Sequence, residues 1–194
     1  PSKQCIKSNA HALARYAALV QEANMVPIVE PEVLMDGDHD IDTCYKITTQ
    51  VLNECYNELE IHNVNLSGTI LKPNMILPGS LSKKKVSNEE IAEKTLDCLK
   101  KNVPSKVPGV AFLSGGQSAV EATKNLNEIN KKNDTNFLIT FSYGRALQQS
   151  ALKTWSKEMK NIEKVQKVFN HRAMMNGLSS KAEWLDKLEN SRVA

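Results

Sequence analysis

Apolar positions alternate along the chain between helical spacing and short β-branched runs. Between residues 5 and 24, Ala10, Leu13, Ala14, Ala17, Ala18 and Met25 line one side of a helix that stops at Asn24. Residues 26–32, VPIVEPE, follow as a proline-broken strand whose end turns polar. Asp38 and Asp40 then precede Ile41, Tyr45, Val51, Leu52, Cys55, Tyr56 and Leu59, which predicts a helix to about His62.

The pattern then repeats. Residues 66–75 read as a second strand, and Ser87 with Glu90 forms a capping box opening a helix over residues 88–102. Residues 109–113 (GVAFL) are a third strand, and Ser118 with Glu121 caps a helix that ends near the polar stretch 130–133. Residues 136–143 (NFLITFSY) are a fourth strand, followed by a helix over residues 145–160. Strands with nearly continuous apolar character, each followed by a helix, define an α/β chain with a parallel sheet. Beyond residue 160, Val165, Val168, Phe169 and Met175 predict a packing helix stopping at Gly177, with a short amphipathic piece around Trp184, Leu185 and Leu188. The expected division is residues 1–160 as the βα units and 161–194 as C-terminal helices and tail.

Composition narrows the possibilities. With 41% hydrophobic and 24% charged residues, the 194-residue chain suits a globular domain with a packed core. Its apolar runs are too short to span a bilayer, which needs about 18 to 20 residues, and the opening PSKQ lacks the apolar centre of a secretory signal. A net charge of +3 and ten aromatics argue against nucleic acid as a partner. Cys5, Cys44, Cys55 and Cys98 contain no C-x-x-C pair, so reduced thiols in a cytoplasmic setting are expected rather than a disulfide framework or zinc ribbon. A first residue that is proline points to a processed chain or to one piece of a longer one.

Candidate chemistry collects at strand ends. Glu30 and Glu32, two apart on the expected strand, would point the same way about 7 Å apart, close enough that one carboxyl can hold a proton for the other. A solvated strand end fits the same spacing. Lys72 sits among apolar neighbours in TILKPNM, where an ammonium is costly to desolvate. Such a lysine either snorkels to water or loses its proton and becomes a nucleophilic amine. Ser114, Gly115 and Gly116 follow the third strand, where bare backbone N–H groups can meet an anion, or where glycine simply supplies positive φ. Ser142, Gly144 and Arg145 occupy the equivalent turn after the fourth strand. There Gly144 permits close backbone approach and Arg145 can fork onto a phosphate, although a cation in a first helical turn opposes the dipole.

Together these residues fall at the carboxyl ends of four successive strands. That is the functional rim of a (β/α)8 barrel, whose last two loops commonly hold phosphate. Two other clusters are set aside. Asp36, Asp38, His39 and Asp40 fail the calcium-loop spacing, because the sixth position is Ile41 and the twelfth Ile47. Lys83, Lys84 and Lys85 read as a solvated loop before a helix. No convincing cluster of His, Cys and carboxylate metal ligands is evident.

The strings VPIVEPEVLMDGDHD (26–40), TILKPNM (69–75), VPGVAFLSGGQS (107–118) and FSYGRALQ (141–148) resemble the class I, Schiff-base, fructose-bisphosphate aldolases, in the same order and over nearly the whole chain. The resemblance implies a (β/α)8 barrel of which this chain holds only the last four βα units, the fifth to the eighth, plus the C-terminal helices. It implies reversible cleavage of fructose 1,6-bisphosphate to dihydroxyacetone phosphate and glyceraldehyde 3-phosphate. Lys72 would form the imine, Glu30 would serve as acid and base, and Glu32 would support it. Ser114, Gly115, Gly116, Ser142, Gly144 and Arg145 would hold a phosphate. No metal and no cofactor are expected, because the protonated imine is the electron sink. The expected partners are a phosphorylated sugar and further copies of the chain in a homotetramer, with no nucleic acid and no membrane.

The sequence also departs from the family pattern. Strands supplying an aspartate, two lysines and a second phosphate site are absent, and the last residue is Ala194 where many members end in a functional tyrosine. Two rival readings follow from that gap. One is a related Schiff-base aldolase for another phosphorylated sugar. The other is a half barrel that binds or interacts without catalysis.

Overall fold

The computed structural model describes residues 1–190, so Ala194 and the end of the tail lie outside the described residues. Four strands form one parallel sheet in chain order: β1 (Ile28–Val29), β2 (Ile70–Leu71), β3 (Gly109–Phe112) and β4 (Leu138–Phe141). Helices α1 (Lys3–Glu22), α2 (Ile41–Ile61), α3 (Asn88–Asn102), α4 (Ala119–Lys132) and α5 (Arg145–Lys157) flank them, and α6 (Ile162–Ser179) and α7 (Asp186–Glu189) close the chain. Neighbouring strands following one another through helical crossovers build half of a (β/α)8 barrel.

Strand register fixes which side chains meet the helices. Val29 pairs with Leu71, Leu71 with Val110 and Val110 with Ile139. All four are buried against the helix layer, where Phe112, Leu52, Leu96, Leu126 and Ile129 fill the main core. The alternate positions, Ile28, Ile70, Gly109 and Leu138, occupy the opposite face. There Leu138 is 79% exposed, as expected of a barrel interior left open by a four-stranded sheet.

The helices begin where the sequence predicts. Ser87 Oγ accepts the Glu90 N–H at 3.2 Å, while at α4 the reciprocal capping box of Ser118 and Glu121 is complete. Asp40 caps α2 through the Thr43 N–H.

Strands are shorter than the apolar runs suggest. In place of residues 26–32, β1 holds two residues, because Pro27 and Pro31 have no N–H to give to a ladder. Residues 66–75 open instead with a 3-10 turn, Leu66–Gly68, capped by Asn65, and Pro73 ends β2 early. The fifth helix stops at Lys157 rather than at residue 160, and Asn161 caps α6 through the Lys164 N–H. Gly177 does not stop α6. The helix runs on to Ser179 and is ended by Ala182 at φ +59°, where the Glu183 N–H reaches back to the Leu178 carbonyl.

The terminal helices are tied to α4. Arg172 forks onto Glu189 at 3.0 and 2.6 Å and also donates to Thr123 Oγ1, while Trp184 Nε1 donates to the same carboxylate.

Candidate active site

Glu30 and Lys72 each stand one residue past a buried strand position, Val29 and Leu71, on adjoining strands. The Lys72 N–H donates to the Val29 carbonyl at 2.7 Å, which carries the ladder past β2 and sets the two side chains beside each other. Lys72 Nζ lies 2.9 Å from Glu30 Oε1, with the lysine side chain 20% exposed and the carboxylate more open at 42%. An amine and a carboxylate at this distance can pass a proton directly.

Glu30 and Glu32 both lie beyond β1, which ends at Val29, so no common strand face sets their directions. The Glu32 N–H folds back to the Glu30 carbonyl at 3.1 Å around a buried Pro31, so strand alternation no longer sets its direction. Among the described residues, no hydrogen bond or ion pair holds the Glu32 carboxylate. Both glutamates line a cleft of about 790 Å³ between α1, α2 and residues 30–36, which Cys5, Asn9, His39 and Cys44 also border. Lys72 is not in that lining.

Asn74 joins the segment that follows Glu30 to the one that follows Lys72. Its Oδ1 accepts the Val33 N–H at 2.9 Å, and its Nδ2 donates to Thr48 Oγ1 and to the Met75 carbonyl. This 5%-exposed amide therefore fixes the segment after Glu30 against the segment after Lys72 and against α2. A second tie comes from Gly79, whose N–H reaches the His39 carbonyl; a Cβ there would meet the Gly37 carbonyl oxygen at 2.4 Å. Sequence inspection missed Asn74 in this role, because only the fold brings Val33 and Thr48 to it.

The turn after β3 has the conformation that its glycines permit. Gly115 and Gly116 take φ of +56° and +85°, and the buried Ser114 anchors the turn through its carbonyl, which accepts both the main-chain and side-chain N–H of Gln117. Gln117 in turn accepts from Asn125. Because Ser118 and Glu121 already cap α4, the groups left for an anion are those of the glycine turn.

The turn after β4 is different. Gly144 precedes α5 with no side-chain cap, and a Cβ there would meet nothing within 4 Å, so no protein backbone crowds it and the space is open to a ligand. Arg145 is exposed, and its guanidinium has no hydrogen bond or ion pair among the described residues. The Ser142 N–H donates to the Phe112 carbonyl at 2.8 Å, so the two turns spring from adjoining strand ends. Tyr143 is buried instead, donating to the Ala122 carbonyl, and burial pushes its phenol well above the ordinary value.

Glu30, Lys72, Ser114, Gly115, Gly116, Ser142, Gly144 and Arg145 thus lie along one rim of the sheet, in strand order. Glu32 is close in sequence but unattached. The structure also gathers a cluster the sequence did not reveal: His11, Glu58 and His62, whose ligand atoms all lie within 4.8 Å of one another. Glu58 and His62 are four residues apart on α2, whereas His11 is 47 residues from Glu58.

This arrangement, an amine beside a carboxylate at the carboxyl rim of half a parallel barrel, defines the class of protein as a barrel-type α/β chain with carbonyl chemistry available to it. Comparison with known proteins makes the assignment specific. The family model described as fructose-bisphosphate aldolase class-I matches residues 1–194, and the chain belongs to that family. It is 51% identical over 185 residues to a probable fructose-bisphosphate aldolase class 1 of Xanthomonas campestris pv. campestris, covering 95% of this chain and 55% of that protein. It is 54% identical over 177 residues to the cytosolic fructose-bisphosphate aldolase 4 of Arabidopsis thaliana, covering 91% of this chain and 45% of the relative. A solved fructose-bisphosphate aldolase from Plasmodium falciparum, in complex with TRAP and a small-molecule inhibitor, superposes with a TM-score of 0.92 at 42% identity. That match covers 95% of this chain and 53% of the solved one. The chain spans about half the length of the curated relatives it matches.

Proposed function

We propose that the protein is the Schiff-base half of an aldolase that cleaves fructose 1,6-bisphosphate reversibly into dihydroxyacetone phosphate and glyceraldehyde 3-phosphate. The observation that carries this reading is the 2.9 Å contact between Lys72 Nζ and Glu30 Oε1 at adjoining strand ends. The unprotonated Lys72 amine attacks the ketone carbon, and the resulting carbinolamine loses water to give a protonated imine. Glu30 takes the first proton from the Lys72 ammonium and passes it to the carbonyl oxygen on attack, then receives the proton released from the attacking nitrogen and returns it to the departing hydroxyl, which leaves as water. When the bond to the aldehyde half breaks, its electron pair enters the imine and leaves an enamine on Lys72, while the hydroxyl proton of the aldehyde half passes to a base. Protonation of the enamine carbon and hydrolysis of the imine then release the ketone half.

The glycine turn after β3 and the uncapped start of α5, with Ser142, Gly144 and Arg145, would hold a phosphate of the ketone half. Their shared rim with Lys72, the positive φ of Gly115 and Gly116 and the unpartnered Arg145 guanidinium support this role. Glu32 would act on Glu30 only through its charge. Residues 1–160 would form the barrel half and 161–194 its helical tail. The working protein would be a cytoplasmic homo-oligomer; Arabidopsis and spinach relatives are named cytosolic and cytoplasmic, and no helix is long and apolar enough to cross a membrane among the described residues.

Borohydride reduction in the presence of dihydroxyacetone phosphate tests the reading. The intact protein should gain a stable adduct that maps to Lys72, and Lys72→Met should gain none. Absence of any reducible adduct would instead favour a half barrel that binds without catalysis. Relative turnover of fructose 1-phosphate and the bisphosphate separates this aldolase from one built for another phosphorylated sugar.

A further inference from the structure

We propose that His11, Glu58 and His62 form a binding site for a divalent transition-metal ion of the zinc type, bridging α1 and α2. Glu58 and His62 are one turn apart on α2, and His11 faces them from α1, which packs along α2. The site belongs to the helix layer, whereas Lys72 and Glu30 stand at strand ends.

The electrostatics call for a cation. The Glu58 side chain is 9% exposed, and among the described residues its ion-pair partners are these two histidines alone, with no lysine or arginine. A carboxylate this buried is costly unless a positive charge accompanies it. Imidazole nitrogens and a carboxylate oxygen are the donor set that zinc, copper and nickel prefer.

Geometry agrees. His11 Nδ1 lies 3.0 Å and His62 Nδ1 3.8 Å from the same Glu58 Oε2. Around a tetrahedral ion with bonds of about 2.0 to 2.2 Å, neighbouring ligand atoms stand about 3.3 to 3.6 Å apart, between the two observed separations. Two imidazoles on such an ion place their ring centres about 5 Å apart. The observed centroid separation is 5.0 Å, with planes inclined at 68°, so the rings are not stacked and each can turn a nitrogen toward one point.

One bond must yield. His62 Nδ1 lies 2.8 Å from the Glu58 carbonyl oxygen, as a donor would, and coordination through this atom releases that contact. The carbonyl keeps a partner, because the His62 main-chain N–H also donates to it at 3.1 Å. The His11 side chain is 52% exposed, leaving an entry path and room for a water as fourth ligand. An ion held here would clamp α1 to α2 and steady the chain that runs from α1 into β1 and Glu30.

The test is calorimetric titration of the intact, chelator-stripped protein with Zn²⁺, with thermal unfolding followed in parallel. One ion per chain should bind and raise the unfolding midpoint. His11→Ala and His62→Ala should each weaken affinity by about tenfold or more and abolish the zinc-dependent rise in midpoint. Both histidines lie at least partly at the surface, so the variants should fold, and Glu58→Gln, which removes the charge and keeps the shape, should behave alike. Failure of the intact protein to bind zinc, or zinc binding that survives both histidine replacements, would overturn the proposal. Borohydride trapping at Lys72 should be the same in all three variants, so this test and that of the aldolase reading fail independently.

Discussion

Lys72 Nζ and Glu30 Oε1 lie 2.9 Å apart although 42 residues separate them in the chain, because Val29 and Leu71 are register partners on adjoining strands. Each strand contributes one buried residue to the helix layer and then, one position on, one polar residue to the opposite face. The pair is thus a product of sheet register, and Asn74 holds the two following segments at a fixed separation.

Removing the carboxylate while keeping its shape should separate binding from turnover. In the intact protein, Glu30→Gln should lower kcat for bisphosphate cleavage by about 10²- to 10⁴-fold, the usual worth of a positioned acid–base group, and change KM much less. Borohydride should still trap an adduct at Lys72, more slowly. Unchanged kcat would show that Glu30 only pairs with the lysine.

Arg145 is exposed and its guanidinium has no protein partner among the described residues, so its replacement should report on ligand alone. Arg145→Lys should weaken binding of dihydroxyacetone phosphate by about 1.5 to 3 kcal/mol, since lysine cannot present a planar fork to phosphate. Calorimetry on the two proteins measures this, with unfolding midpoints expected to coincide. Equal affinities would place the phosphate elsewhere.

Alkaline pH should destabilise the fold more than neutral pH. Burial pushes the Cys55 thiol from 9.0 up to about 12 and the Cys98 thiol up to about 11, and raises Cys44 in the same direction. A group whose folded value is raised favours the folded state fully below its unfolded value, and that advantage is lost as pH rises through the folded value. The loss should therefore begin near pH 9 and continue toward about 12. Half-buried Tyr56 and buried Tyr143 are shifted in the same direction. Urea midpoints measured at rising pH should fall across this window, and a flat profile would contradict the burial of these thiols. In the native state Cys5, exposed on α1, should be the one cysteine that reacts quickly with a thiol reagent.

The order of elements and the rim residues were legible because both rest on local pattern. Ser118 and Glu121 announce α4, and the strand-ending positions of Lys72, Ser114 and Arg145 follow from where apolar runs stop. Strand lengths were not legible, since Pro27, Pro31 and Pro73 cut the hydrogen-bond ladder without interrupting the apolar character of the run. Gly177 does not end α6, because glycine is tolerated inside a helix when the terminus, at Ser179, is set by a left-handed residue, Ala182, three positions further on. The direction of Glu32 depends on a turn around Pro31, and the meeting of His11 with Glu58 depends on how α1 packs on α2. Neither leaves a trace in local spacing.

The 194-residue chain expressed alone should self-associate and cleave its substrate poorly. Among the described residues β1 is paired only with β2, and β4 only with β3, so each presents a row of unpaired backbone groups on its outer side. Apolar side chains accompany both edges. Leu138 is 79% exposed on β4, while Leu19, Met25 and Val26 are 61%, 59% and 61% exposed on the approach to β1. Surfaces of this kind pair with another chain or bury themselves nonspecifically. At the rim, the sheet beyond Lys72 stays open to water, which weakens every charge interaction that the proposed imine chemistry would rely on. Sedimentation should show species larger than one chain, growing with concentration, and cleavage should be slow. Adding a separately expressed N-terminal half of a close relative should reduce association and raise the rate. A stable monomer with a full cleavage rate and no response to the added half would show that the four strands suffice.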